Sequence, residues 1–87
     1  MDFTKDPDAT LDYTLIWVNW LDDDLIVASE WLVPVGLVKS GESFTTTITT
    51  VWLSGGTVRN VYSVVNRITT AGGRIDDRKL MIAVEER

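Results

Sequence analysis

The chain has 87 residues, with 13 acidic and 8 basic side chains that give a net charge of −5, and it contains neither cysteine nor histidine. A chain of this length forms one domain, and without cysteine and histidine it lacks disulfides, thiolate metal sites and the most common general base. The acidic balance and the scattered basic residues argue against a nucleic-acid partner, and no apolar run is long enough to cross a membrane.

The beginning of the chain differs in composition from the rest. Residues 1–10 are polar and acidic and contain Pro7, so we predict a flexible N-terminal arm there and one domain over residues 11–87. This arm has neither the basic start nor the apolar core of a signal peptide, which predicts a protein that is made and kept in the cytoplasm.

The following stretch, residues 13–21, is apolar in both alternating phases, whereas a small sheet with one solvated face should alternate apolar and polar residues. We predict that this stretch is a strand with one phase in the core of the domain and the other phase against a partner protein. The core phase carries Tyr13, Leu15 and Trp17. The partner phase carries Ile16, Val18 and Trp20.

The rest of the chain is rich in threonine, valine and isoleucine, with turn signals at short intervals. No segment has a sustained helical period, so no substantial helix is expected. The pattern predicts an all-β fold, specifically an immunoglobulin-like (fibronectin type III-like) antiparallel β-sandwich of about six or seven strands. Beyond residue 21, the predicted strands cover residues 25–33, 44–53, 59–70 and 79–84, with turns at 22–24, 34–36, 40–42, 54–56 and 71–73.

Alternation within these strands identifies the predicted core. The phase of residues 44–53 is ambiguous, and a bulge between Ile48 and Val51 would reconcile its two apolar sets. The other strands are clear, and two walls of a core follow from them. One wall combines Tyr62, Val64, Asn66 and Ile68 with Leu80, Ile82 and Val84. The other combines Tyr13, Leu15 and Trp17 with Trp31 and Val33.

Several carboxylates could carry chemistry. The acidic run at residues 22–24 and the pair Asp76 and Asp77 could bind Ca²⁺, but consecutive carboxylates in a tight turn do not converge on one ion, so solvated acidic loops are the simpler interpretation. Carboxylate pairs also serve glycoside hydrolysis, but a domain of this size has no room for the required cleft. We therefore predict a protein that is not an enzyme and has no metal site, cofactor or small-molecule substrate.

Tryptophan and arginine residues leave more than one interpretation open. Trp20 and Trp52 could anchor a protein interface, join the core after a register shift, or stack on sugar rings. Three arginines lie in or beside the last predicted hairpin, where cross-strand ion pairs or docking of an acidic neighbour would explain them. These are Arg67, Arg74 and Arg78.

Ordered motifs give two resemblances. Tyr62 follows the turn Leu53-Ser54-Gly55-Gly56 and begins the pattern Tyr-x-Val-x-Asn, which resembles the tyrosine-corner region of fibronectin type III and related sandwiches. Five segments in order make most of the chain similar to small tailed-bacteriophage and prophage proteins of the fiber-tail adaptor type. They are Lys5-Asp6-Pro7-Asp8, Leu11-Asp12-Tyr13, Val51-Trp52-Leu53-Ser54-Gly55-Gly56, Asn66-Arg67-Ile68-Thr69-Thr70 and Arg74-Ile75-Asp76-Asp77-Arg78.

The second resemblance implies a structural role in a bacteriophage virion, in many copies of a symmetric assembly, with tail, neck or fiber proteins as partners. It places the protein in the host cytoplasm during assembly and then in the virion. We therefore predict an adaptor that joins the tail or neck to the fibers, while a head–tail completion or capsid decoration protein and a carbohydrate-binding module remain alternatives. The predicted partner-binding residues are Ile16, Val18, Trp20, Trp52, Val61 and Val65.

Overall fold

Seven strands and one helical turn make up the part of the chain that the computed structural model describes, residues 2–86 apart from the side chain of Asp2. Met1 and Arg87 lie outside the described residues. The elements are β1 (Asp2–Lys5), β2 (Leu11–Ile16), α1 (Val18–Leu21), β3 (Ile26–Leu32), β4 (Leu37–Phe44), β5 (Ile48–Gly55), β6 (Val61–Thr70) and β7 (Ile75–Val84). Between residues 2 and 86, no helix is long and apolar enough to cross a membrane.

The strands form two sheets. The four-stranded sheet has the order β1-β7-β6-β3, and the three-stranded sheet has the order β2-β5-β4. Only β1 pairs in parallel, along β7, and the other described pairings are antiparallel. The all-β prediction is confirmed.

The inner faces of the two sheets carry the predicted core residues, but the predicted walls are wrong for Trp31. Because β3 pairs with β6, Trp31 lies in the sheet of Tyr62 and not in that of Tyr13. Each predicted core residue is buried except Val33, which is partly buried and packs against the others. Asn66 is the polar member of this set, and its amide is bonded on both sides, as a buried polar group requires. The confirmed buried residues are Tyr13, Leu15, Trp17, Trp31, Tyr62, Val64, Asn66, Ile68, Leu80, Ile82 and Val84.

The segment for which a flexible arm was predicted contains a strand. Of residues 1–10, Asp2–Lys5 pair in parallel with β7. The Phe3 ring packs edge-on against Tyr13 with 5.0 Å between centroids. Lys5 is fully buried, and its Nζ donates to the carbonyl oxygens of Asp6 and Gly55, each at 2.7 Å. Burial lowers the pKa of this ammonium group.

The predicted strand over residues 13–21 is wrong beyond Ile16. The chain leaves the sheet at Trp17, whose N–H donates to the Thr47 carbonyl at 2.9 Å and whose carbonyl accepts from the Leu21 N–H at 3.0 Å. Residues Val18–Leu21 therefore form one helical turn. Since side chains alternate only within a strand, Ile16 and Val18 do not share a strand face with Trp20.

The predicted strand over residues 44–53 is also wrong in its start. The strand begins at Ile48 and is β5, the second strand of a hairpin whose first strand is β4. Residues 40–42, which were predicted to be a turn, lie within β4. The register shift lies between Lys39 and Gly41, and none occurs between Ile48 and Val51. Glycine at a bulge explains why turn chemistry and strand structure coincide there.

Tyr62, at the start of β6, ties the loop before it to the sheet. Its hydroxyl accepts a hydrogen bond from the Thr57 N–H at 2.9 Å, five residues upstream. Its ring also packs against Gly36, where φ is +109° and an added Cβ would lie 2.7 Å from the ring. The contact therefore requires glycine at position 36, for its conformation and for its lack of a side chain.

Candidate partner-binding surfaces

The outer face of the four-stranded sheet carries an apolar area that includes two of the predicted partner-binding residues. Val61 and Val65 alternate with the buried Tyr62 and Val64, so they point outward, and Val61 is 60% exposed. Leu32 on β3 is the cross-strand neighbour of Val65, and Ala83 on β7 is that of Val61. Met81, which pairs with Ser63, lies between them on the same face of β7. We call these five side chains the apolar patch: Leu32, Val61, Val65, Met81 and Ala83.

A charged row borders the apolar patch on the same face. Arg67 donates from Nε to Asp77 Oδ1 at 2.8 Å and from Nη2 to Asp77 Oδ2 at 3.0 Å, a bidentate pair across β6 and β7. This confirms a cross-strand ion pair for Arg67. The bond raises the pKa of the guanidinium and lowers the pKa of the carboxyl. Because both groups are half exposed, the pair contributes little stability and mainly marks the edge of the patch.

The second group of predicted residues lies at the helical end, the end of the sheets that carries α1 and the β4–β5 and β6–β7 turns. Ile16 is 62% exposed and Val18 is 45% exposed. Trp20 is partly buried, because its ring packs edge-on against Trp17 at 5.5 Å and lies under the Arg74 guanidinium, 4.3 Å from its centroid. Ile16 and Val18 thus offer apolar surface here, whereas Trp20 mainly supports it.

Asp24 fixes the loop that follows α1. Its carboxylate accepts from the Gly72 N–H at 2.9 Å, from the Leu25 N–H at 2.9 Å and from Arg74 Nε at 3.1 Å. A hydrogen bond from the Thr70 side chain, and then those from Leu25, Gly72 and Arg74, hold the pKa of Asp24 well below its usual range. Arg74 therefore pairs across two loops and not within the hairpin.

The acidic loops do not build an ion site within the part of the chain that the structure describes. No group of three or more histidine, cysteine, aspartate or glutamate side chains there is placed to hold a metal ion. Asp24 and Asp77 are instead committed to Arg74 and Arg67.

Arg78 on β7 contacts the end of β2 in the other sheet. Its guanidinium lies over the Trp17 ring, 4.0 Å from the centroid, and Nη1 donates to the Ile16 carbonyl at 3.0 Å. Because β2 is the last strand of its sheet, this bond occupies a backbone acceptor close to an edge that could otherwise pair with another chain. The expected ion pair of Arg78 is thus replaced by a cation–π contact and a backbone bond.

Trp52 lies in the other sheet from the apolar patch, and its neighbour on β2 is Asp12, four residues from Ile16. Trp52 points outward from β5, the middle strand of the three-stranded sheet, and is 44% exposed. The interpretation that places Trp52 in the core is therefore wrong. Of the six predicted residues, Val61 and Val65 share one face, Ile16 and Val18 occupy the helical end beside Trp20, and Trp52 stands on the opposite sheet.

Sequence reasoning missed three members of the apolar patch, although a signal was present. The last strand is apolar in both phases, since Met81 and Ala83 alternate with the buried Leu80 and Ile82. Like residues 13–21, the end of β7 is therefore apolar in both alternating phases. Leu32 carried no comparable signal, because its neighbour on the outer face of β3 is Glu30.

The geometry defines a small all-β protein with two sheets and exposed apolar side chains on separate surfaces. The family model described as podophage GP4 fiber-tail adaptor protein gp77 matches residues 5–83, and the chain belongs to this family. The similarity to fiber-tail adaptors is thereby confirmed. A comparison with curated proteins gave no match.

Proposed function

We propose that the chain is a non-enzymatic structural component of a podophage virion that joins the tail or neck to the fibers through protein–protein contacts. The family match over residues 5–83 carries this proposal. The separation of the predicted residues supports it, because an adaptor that connects two partners needs two surfaces. The apolar patch is one, and the helical end with Ile16 and Val18 is the other.

We further propose that the fold is immunoglobulin-like. With β1 to β7 taken as strands A to G, strands C, F and G share one sheet and strands B, E and D share the other, as in the constant-type domain. The Tyr62–Thr57 bond has the form of a tyrosine corner. Strand A differs, because it pairs in parallel with strand G.

The size of the surfaces favours a multivalent attachment. Apolar burial contributes about 25 cal/mol per Å², and a stable interface buries roughly 1,200–2,000 Å² in total. The five side chains of the apolar patch are a small part of such an area, so one contact is weak. We propose that several copies in a symmetric assembly, in the host cytoplasm and then in the virion, add their contacts through effective concentration.

Introducing charge into the apolar patch tests the proposal in particles. Val61→Glu with Val65→Glu places two carboxylates in the apolar patch, and we expect particles that lack fibers or lose this chain. The matched control is Val38→Glu, because Val38 is 58% exposed and Val61 is 60% exposed, but Val38 lies in the other sheet. Thermal unfolding of each purified variant shows whether the domain is intact.

The position of the chain in the particle separates the proposal from its alternatives. Density for the chain between the tail or neck and a fiber supports the adaptor. Density on the capsid surface or inside the head–tail channel, with no fiber in contact, would assign a decoration or completion role and overturn the proposal.

A further inference from the structure

The outer face of the three-stranded sheet has a different character from the apolar patch. Its central side chain is Trp52, which stands in register between Asp12 on β2 and Gly41 on β4. The next row along the strands consists of Thr14, Thr50 and Ser43. The exposed indole therefore has one carboxyl group and several hydroxyl groups as neighbours, with the exposed Val38 opposite Ser54 in the row beyond.

The indole of Trp52 leans toward Gly41. A Cβ built on Gly41 would lie 3.8 Å from Cδ1 of Trp52, which is contact distance for the ring edge. Gly41 has no side chain to stand beside the indole, and Asp12 on the other side is short and exposed. Part of the aromatic surface is thus open to a flat ligand.

Hydroxyl groups occupy both sides of the indole along the sheet. The Oγ1 atoms of Thr14 and Thr50 lie 3.2 Å apart, and Ser40 Oγ donates to Ser54 Oγ at 3.2 Å. A hydroxyl has one donor and two acceptor positions, so each pair keeps capacity for a ligand after its internal bond. These groups match the hydroxyls of a sugar, which also donate and accept.

We propose that this face is a shallow saccharide-binding site in which a neutral hexopyranose ring stacks on Trp52. The Asp12 carboxylate and the Thr50 hydroxyl bond the hydroxyls of the sugar. A neutral sugar is favoured over an acidic one because Asp12 lies beside the indole and the chain has a net charge of −5. The site is independent of the adaptor proposal, since it uses neither the apolar patch nor the helical end.

The indole resonances of the full chain provide the test, by ¹⁵N-correlated NMR during titration with neutral oligosaccharides of different linkage. The probes are maltohexaose, cellohexaose and mannohexaose, with trigalacturonate as the acidic comparison. We expect the Trp52 resonance to shift and saturate with one or more neutral probes, at a Kd on the order of 1 mM for a shallow site. Trp17 and Trp31 are buried, so their resonances report any general effect.

Variants assign the binding to this face. Trp52→Ala should weaken binding at least tenfold, Trp52→Tyr should keep it within a few fold, and Asp12→Asn should weaken it measurably. Val27→Ala is the matched control, because Val27 is 55% exposed but lies on β3 in the other sheet, and it should leave sugar binding unchanged.

Three results would overturn the inference. One is no saturable shift with any neutral probe, and another is equal binding by the Trp52→Ala variant. The third is a Trp52 resonance that ignores every oligosaccharide but shifts on addition of purified fiber or tail protein, which would assign this face to a protein partner.

Discussion

A buried hydrogen-bond network around Asn66 connects the two sheets. Its Oδ1 accepts from Trp17 Nε1 at 3.1 Å and from Thr49 Oγ1 at 2.7 Å, and its Nδ2 donates to Ser29 Oγ at 3.0 Å and to the Glu30 carbonyl at 3.1 Å. The Asn66 side chain is fully buried between β3, β5 and the start of α1. Removing this amide leaves polar groups inside the core without their partners.

The loss of unfolding free energy expected for Asn66→Ala follows from these hydrogen bonds. Trp17 Nε1 keeps a bond to Thr49 Oγ1 at 3.2 Å, but the buried Thr49 hydroxyl loses its acceptor. The part-buried bonds to the Ser29 hydroxyl and the Glu30 carbonyl are also lost. Each unsatisfied buried group costs about 1–3 kcal/mol, and the cavity adds to it. We expect a loss of about 3–5 kcal/mol, against a total stability of roughly 4–13 kcal/mol for a domain of this length.

Urea unfolding monitored by tryptophan fluorescence measures this loss. The midpoint should fall strongly with little change in the m-value, because the native area stays similar. Ser29→Ala is the control, since it removes one bond of the network and should cost about 0.5–1.5 kcal/mol. A loss below about 1 kcal/mol for Asn66→Ala, or a loss equal to that of Ser29→Ala, would refute the role of the network.

Two further perturbations test the loops. Gly36→Ala should lower the free energy of unfolding by about 2–4 kcal/mol in the same urea assay, because the positive φ of Gly36 and the 2.7 Å between an added Cβ and the Tyr62 ring both oppose a side chain. Gly73 has φ +88° with open space around it, so Gly73→Ala should lower the free energy of unfolding by less. Equal losses for the two variants would contradict the role of the Tyr62 contact. Asp24 has a folded pKa below its unfolded value, so its bonds, that with Thr70 first, contribute stability above about pH 4 that is lost as the pH falls further. The stability difference between the protein and Asp24→Asn should therefore shrink below pH 4, and a difference that grows there would be inconsistent.

Alternation predicted the parts of the fold where each strand has one buried face. In β6, the buried Tyr62, Val64 and Ile68 alternate with exposed residues, so period and burial agree. The core role of Trp17 followed from the same rule, although this residue lies just after β2 and not within it.

The predictions from sequence were wrong where the local residue pattern fits both a strand and a helical turn. A helical turn of four residues has no period of its own, so Val18–Leu21 could not be distinguished from a continuing apolar strand. At the start of this turn, the Trp17 N–H donates to the Thr47 carbonyl, a contact between residues distant in sequence. The prediction that Ile16, Val18 and Trp20 share one strand face was wrong for the same reason, because β2 ends at Ile16 and the two later residues lie in the helical turn.

Reconstruction of the whole particle by electron cryo-microscopy tests the adaptor proposal most directly. The proposal predicts several copies of the chain between the tail or neck and the fibers, with Val61 and Val65 against one protein and Ile16 and Val18 against the other. It would be contradicted if both surfaces faced solvent, or if a single protein covered the chain away from any fiber.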